Sequence, residues 1–160
     1  KKPVAVQFDY NVKMSDRENR IRATGFSKIT DVPGKDYPAA ILLLQKRWED
    51  ANGNVYAKRI GTMVTYYYHS TDWKNNVTYE IMYGDITNRP EYKAHMMRLQ
   101  ATESYTVNSK GESVPIHEVA WGDENDVPTH MYIQFTSSHG GAYIGSPGNT
   151  LWVDNVKLVY

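Results

Sequence analysis

Val4, Val6, Phe8, Tyr10, Val12 and Met14 take every second position of a run whose other positions are Ala5, Gln7, Asp9, Asn11 and Lys13. A period of two puts successive side chains on opposite faces of an extended chain, so residues 4–14 read as a long, half-buried strand. The same reading extends along the chain. Residues 39–48 form an apolar run suited to a buried strand, followed by Asp50-Ala51-Asn52-Gly53-Asn54 and a further strand-like run at 55–60. Asn-Gly between two such runs is a strong hairpin signal, because both residues tolerate positive φ. After Gly61, residues 62–69 are rich in Val, Thr and Tyr, and residues 76–86 alternate with Val77, Tyr79, Ile81 and Tyr83 on one face. Residues 129–136 predict a strand with Met131, Ile133 and Phe135 inward.

The closing stretch, residues 148–160, carries a fault in its alternation. Leu151 and Val153 hold the apolar side at odd positions; after Asp154-Asn155, Val156, Leu158 and Tyr160 hold it at even ones. A β-bulge at Asp154-Asn155, bonded to its own backbone, accounts for the slip. It would pack Leu151 and Val153 on one side and Val156, Leu158 and Tyr160 in the shifted register. A structural calcium ion near Asp154 is the other reading of the same acidic position.

Against these strands, only residues 88–102 offer a helical spacing, through Tyr92, His95, Met96 and Leu99, and they suit an excursion between strands equally well. Residues 15–20, 31–34 and 122–128, with Gly111 and Pro115, read as loops and turns. About eight strands with almost no helical pattern imply an antiparallel sandwich or barrel. The 160 residues, without repeat or linker, are expected to form a single domain, 1–160.

Composition removes several function classes. Lys and Arg number 18 and so do Asp and Glu, leaving no basic excess to neutralise a phosphate backbone, and nucleic acid is not an expected partner. The longest apolar run, residues 39–44, is far short of a membrane span. Without Cys there is no disulfide, thiolate metal site or cysteine nucleophile. The start at Lys1-Lys2-Pro3 suits a processed or trimmed chain, so the lack of a signal peptide says nothing of compartment.

Motifs for catalysis are incomplete. His117-Glu118 opens like a zinc-protease helix, but Val119-Ala120-Trp121 follow and the second ligand is missing. Ile144-Gly145-Ser146-Pro147-Gly148 lacks the first glycine of a nucleophile elbow. The carboxylates cluster as Glu49-Asp50 beside a hairpin and as Asp123, Glu124 and Asp126 in one loop, whereas glycoside hydrolysis draws two from separate elements. Asn76-Val77-Thr78 matches a glycan acceptor motif, read as coincidence within a strand.

Aromatics are the better candidates. The chain holds 13 Tyr and 4 Trp against 3 Phe. Rings with polar tips suit pleated sheets, and they also suit sugars, whose C–H faces stack on Trp and Tyr while hydroxyls bond to polar side chains. Trp73, in a polar loop, and Trp121, beside the acidic loop, each read as a stacking platform or as a lid over the end of the core. Trp48 lies at a strand end within reach of the surface, and Trp152 reads as packing. Tyr66-Tyr67-Tyr68 must divide between two faces, so at least one ring points away from the core.

Phe135-Thr136-Ser137-Ser138, then Gly140-Gly141, Gly145 and Gly148, then the run Thr150-Leu151-Trp152-Val153-Asp154-Asn155-Val156-Lys157-Leu158-Val159-Tyr160, resemble the C-terminal signature of the carbohydrate metabolism domain (PCMD) family, found on secreted and surface-anchored proteins of Bacteroides-type bacteria. Lys2-Pro3-Val4-Ala5-Val6, leading to Tyr10, is similar to that family's first core strand. The resemblance implies a jelly-roll sandwich of galactose-binding-like topology, as in carbohydrate-binding modules. It also implies the C-terminal module of a longer surface lipoprotein, at the outer-membrane surface, in the periplasm or outside the cell. It transfers Ser137, Ser138, Gly145, Gly148 and Asp154 as a structural signature.

The combined expectation is a non-catalytic module that binds a glycan for a surface glycan-utilisation protein, without a cofactor, alongside other domains or surface proteins. Trp73, Trp48, Tyr67 and Trp121 are the expected stacking rings, with Arg47, Asp72, Asn75 and Asn76 as polar partners. A structural or adhesive module without a sugar site is the first rival, and a glycoside hydrolase the second.

Overall fold

The computed structural model describes residues 1–25, 28–123 and 125–160, so Glu124 of the acidic loop lies outside the described residues. Among these the chain is all-β, without a helix: β1 (Ala5–Lys13), β2 (Arg20–Ala23), β3 (Ile29–Val32), β4 (Ala39–Glu49), β5 (Val55–Tyr66), β6 (Lys74–Glu80), β7 (Met82–Tyr83), β8 (Tyr105–Val107), β9 (Ser113–Trp121), β10 (His130–Thr136), β11 (Ile144–Gly145) and β12 (Thr150–Val159). The chain forms two compact units. One comprises Lys1–Lys2, Ile41–Val64 and Glu80–Ile133; the other comprises Pro3–Ala40, Thr65–Tyr79 and Gln134–Tyr160.

In the first unit the strand order is β10-β4-β5-β9-β8, with β7 also paired to β5. Ile41, Leu42, Leu43 and Leu44 of β4 are all buried, so both faces of the strand are covered there and its sequence is an unbroken apolar run. The turn into β5 follows the Asn52-Gly53 signal. Gly53 adopts φ 90°, its N–H donates to Asp50 O, and Asp50 Oδ1 accepts the N–H groups of Asn52 and Asn54. β5 continues through Gly61, where the sequence predicted a break.

β9 corrects the expectation of an antiparallel assembly throughout: it runs parallel to β5, with Val55 opposite Ile116, Tyr56 opposite His117 and Ala57 opposite Glu118. It also takes up Pro115, expected in a loop. The N–H of Ile116 points to Ser104 O on the β8 side, so the neighbouring residue faces β5, whose pairing begins only at Ile116. The missing N–H of Pro115 therefore interrupts no bond to β5.

Residues 88–102 are an excursion and not a helix. Their carbonyls at Met97 and Arg98 accept from the Arg59 guanidinium, and single turns such as Tyr92 N–H to Arg89 O take the place of a helical ladder. β10 forms where the alternation puts it, but Met131 and Ile133 are exposed while burial raises the pKa of Tyr132. Alternation fixes which residues share a face; it does not say which face is covered.

In the second unit, β12-β1-β6 form one sheet and β11-β2-β3 another. Asp31 and Val32 belong to β3, and the turn falls at Gly34 (φ 90°). β1 and β12 pair antiparallel with a register shift: Gln7 faces Lys157 and Asp9 faces Asp154. Asn155 and Val156 thus oppose the single residue Phe8, which is the bulge the alternation fault predicts. Asn155 sits at φ 53°, and its N–H donates to Asp154 Oδ1 at 2.7 Å. The packing beyond the bulge differs from expectation, since Val156 and Tyr160 are exposed, as is Trp152. β12 stands at the edge of its sheet, paired among the described residues with β1 alone, and an edge strand is covered less completely than a central one. The core of this unit gathers on Phe8, stacked on Tyr79 and edge-on to Phe135, each with ring centroids 5.1 Å apart.

Candidate binding cleft at the end of β4

Beyond Leu44, β4 changes character. Gln45, Arg47 and Glu49 share one side of the strand, and Lys46 and Trp48 the other.

On the Trp48 side a row of rings crosses three neighbouring strands. Trp48 stacks against Tyr56 with centroids 6.0 Å apart and planes 24° apart, and Tyr56 lies 5.7 Å from the His117 ring. Trp48 is 43% exposed. The row follows from two registers. Trp48 and Tyr56 are equidistant from Asn52 in the hairpin, and Tyr56 pairs with His117 between β5 and β9. The same side carries Lys46 and Lys58 on Asp126, at 2.9 and 3.7 Å.

On the other side, polar residues form a buried chain of bonds. Glu118 Oε1 accepts from Arg59 Nε and from Gln45 Nε2, and Glu118 Oε2 accepts from Arg59 Nη2 and from the N–H of Gln100. Gln45 Oε1 in turn accepts from Arg47 Nε at 2.8 Å. Arg59 also lies 5.4 Å from the centre of the Trp121 ring, which is half-buried. Trp121 thus covers this buried charge.

The chain of bonds ends at a cleft of about 250 Å³ lined by Arg47, Trp48, Glu49, Val55, the β8 residues Thr106 and Val107, and His130. Burial lowers the pKa of Arg47, with the nearby Glu118 carboxylate opposing that shift. Burial also lowers that of His130, helped by the charge of Arg47. The hydroxyl and N–H of Ser109 occupy the two oxygens of Glu49 and hold its carboxyl below the usual range. Chemically, the cleft offers an aromatic edge, an apolar wall, a hydroxyl and a cationic side, which suits binding of a polar ligand with apolar faces.

Of the residues expected to contact a ligand, Arg47 and Trp48 share this cleft. Tyr67 is buried, its hydroxyl 3.1 Å from that of Tyr79, and burial pushes its pKa strongly up. Tyr68 is the exposed ring of the triplet. In the second unit Trp73 is 50% exposed, just before β6, and Asp72, Asn75 and Asn76 are exposed with it. Asn76 is in part a structural residue, at φ 52° with its N–H on Asp9 Oδ1. Tyr56, His117, Thr106 and His130 were missed by sequence reasoning. The symmetry of the hairpin about Asn52 could have found Tyr56; nothing in the sequence announces the parallel register that adds His117.

The Gly-rich segment of the second unit borders a second cavity, about 410 Å³, lined among others by Ile21, Ser137, Ser138, Tyr143 and Asn149. Near Asp154 the bulge brings two carboxylates together, but N–H donors engage both. Asp154 accepts from Asn155, and Asp9 accepts from Asn76 and from the Asn155 side chain. Among the described residues no group of three or more acidic or imidazole side chains is placed to hold a metal ion.

Comparison with known proteins finds no matching family model, no matching curated protein and no matching solved structure.

Proposed function

We propose that this chain is a non-catalytic carbohydrate-binding module that engages a glycan at the β4 end of its first unit. The observation that carries the reading is the exposed Trp48 ring, stacked in a row with Tyr56 and His117 on one side of the sheet, at the strand end where Trp48 also lines the cleft of Arg47, Thr106 and His130 on the other side. An aromatic row across adjacent strands gives flat apolar area for the C–H faces of sugar rings, and the polar lining supplies bonds for hydroxyls. The ring is held in place before binding, which lowers the ordering cost of association. With this reading go the jelly-roll architecture of such modules, here with a parallel β5–β9 contact as a departure, membership of the PCMD family, and a place in a surface or secreted glycan-utilisation protein.

Isothermal titration against a panel of soluble oligo- and polysaccharides tests the proposal. Binding is expected, and Trp48→Ala is expected to weaken it roughly fivefold or more, in line with the ~1–3 kcal/mol that a stacked ring contributes. Full affinity in Trp48→Ala would remove the site from this row.

A second reading rests on β12. It is a ten-residue strand at the edge of its sheet, with Trp152 and Val156 exposed. Such an edge is a template for strand addition by a partner chain, as a structural or adhesive module requires. That reading predicts no glycan affinity, and loss of partner binding when Trp152 is replaced by Lys.

A further inference from the structure

Resting on the carbohydrate reading above, we infer that the glycan is acidic, with an anionic substituent of a sugar ring seated against the terminal nitrogens of Arg47. The ground is how the guanidinium is held. Arg47 Nε is bonded to Gln45 Oε1, Gln45 is held by Glu118, and Glu118 by the wholly buried Arg59. The side chain is therefore fixed from behind through its inner nitrogen. Its Nη1 and Nη2 have no hydrogen-bond partner among the described residues, and neither is wholly buried. A guanidinium bound at Nε still presents the parallel N–H pair of its outer edge, and that pair matches the spacing of two oxygens on a carboxylate or sulfate.

The neighbouring charges allow an anion there. His130 stands on the same cleft. Among the described residues Glu49 is the one carboxylate lining it, and Ser109 takes up both its oxygens, with the charge of Lys110 nearby. Glu118 is already paired with Arg59 and lies behind Gln45. Partial burial of Arg47 strengthens a bond to an anion relative to one made in open water. A neutral sugar hydroxyl would use one of the two N–H groups; an anionic substituent uses both and its charge.

Calorimetry on the unmodified protein separates this inference from the reading it rests on. The probes are a uronic-acid oligosaccharide, its fully methyl-esterified form, and a sulfated oligosaccharide with its desulfated counterpart. The acidic member of at least one pair should bind roughly tenfold or more tighter than its neutral form, with the preference shrinking as salt is raised. The pair with the larger ratio identifies carboxylate or sulfate as the source of the charge. Arg47→Lys keeps the charge without the fork and should lower that ratio; Arg47→Gln should bring it close to one, with folding checked by the thermal midpoint. Equal binding of acidic and neutral forms in both pairs overturns the acidic-glycan inference and leaves the carbohydrate reading standing. No binding of any of the four, alongside binding of some other neutral glycan, overturns it too. No binding to any glycan defeats both.

Discussion

Arg59 and Glu118 meet on the covered side of the parallel strands β5 and β9, both side chains wholly buried and paired through two N–H groups and two carboxylate oxygens. Removing one partner leaves a buried charge unpaired, which costs about 3–5 kcal/mol. Glu118→Gln is therefore expected to lower the thermal midpoint by roughly 10 °C, taking about 2–4 °C per kcal/mol for a chain of this size. Many buried ion pairs can be replaced by apolar residues at little cost. This one should resist replacement, because Arg59 also serves the carbonyls of Met97 and Arg98 and Glu118 serves the N–H of Gln100. The double variant Arg59→Leu/Glu118→Leu should be no more stable than Glu118→Gln in a thermal melt.

Gly61 shows why β5 runs unbroken where the sequence predicted an interruption. A Cβ at this position would come within 2.8 Å of Ile81 Cγ2 and 3.1 Å of Leu44 Cδ1. The glycine is there for space, not for a turn. Gly61→Ala should destabilise by ~1–3 kcal/mol through overpacking, although alanine is the better strand residue in the abstract. Pairing it with Ile81→Val, which removes a methyl group from the crowded side chain, should recover part of the loss in a denaturant melt.

The sequence made local relations legible and left remote ones hidden. The β1 alternation, the Asn52-Gly53 hairpin and the bulge at Asn155 each depend on residues close in sequence or on period two, and each is found in the structure. The faces of Met131 and Ile133, the exposure of Val156 and the strand at Pro115 depend on which element lies alongside, which no local pattern states. The candidate site divides the same way. Arg47 and Trp48 were visible as polar and aromatic residues at a strand end. His117 and His130 reach them only through the parallel β5–β9 register and the return of β10 beside β4.

Asp9 makes the bulge sensitive to acid. The Asn155 side-chain amide, the Asn76 N–H and the Lys157 charge all hold its carboxyl below its ordinary value of 3.8. A carboxyl that is harder to protonate in the folded than in the unfolded state favours folding above its unfolded pKa. That contribution is lost as pH falls through the lower folded value. Glu49 and Asp126 are shifted in the same direction by their own hydrogen bonds. The thermal midpoint should therefore hold above about pH 5 and fall progressively below pH ~4. Asp9→Asn should lower the midpoint at neutral pH and flatten its acid limb, both measurable by circular dichroism melts across the pH series.

Asp36 organises the Gly-rich segment of the second unit. It is 5% exposed, with Oδ1 accepting the N–H groups of Tyr37 and His139 and Oδ2 accepting that of Gly140. Its own N–H donates to Ser146 Oγ, and its carbonyl accepts from the Asn149 side chain. A carboxylate is the side chain of this length that accepts on both oxygens. In Asp36→Asn one of them becomes an NH2 group that meets another donor whichever way the amide is turned. The expected cost is about 1–3 kcal/mol for the buried N–H left without an acceptor. Hydrogen exchange locates the effect. If the NH2 faces Gly140, the Gly140 amide should lose protection; if it is flipped, the Tyr37 and His139 amides should lose it instead. Amides of the β1–β12 ladder should slow or quicken only with global stability. Unchanged protection at all three amides would show that the segment is held by something other than Asp36.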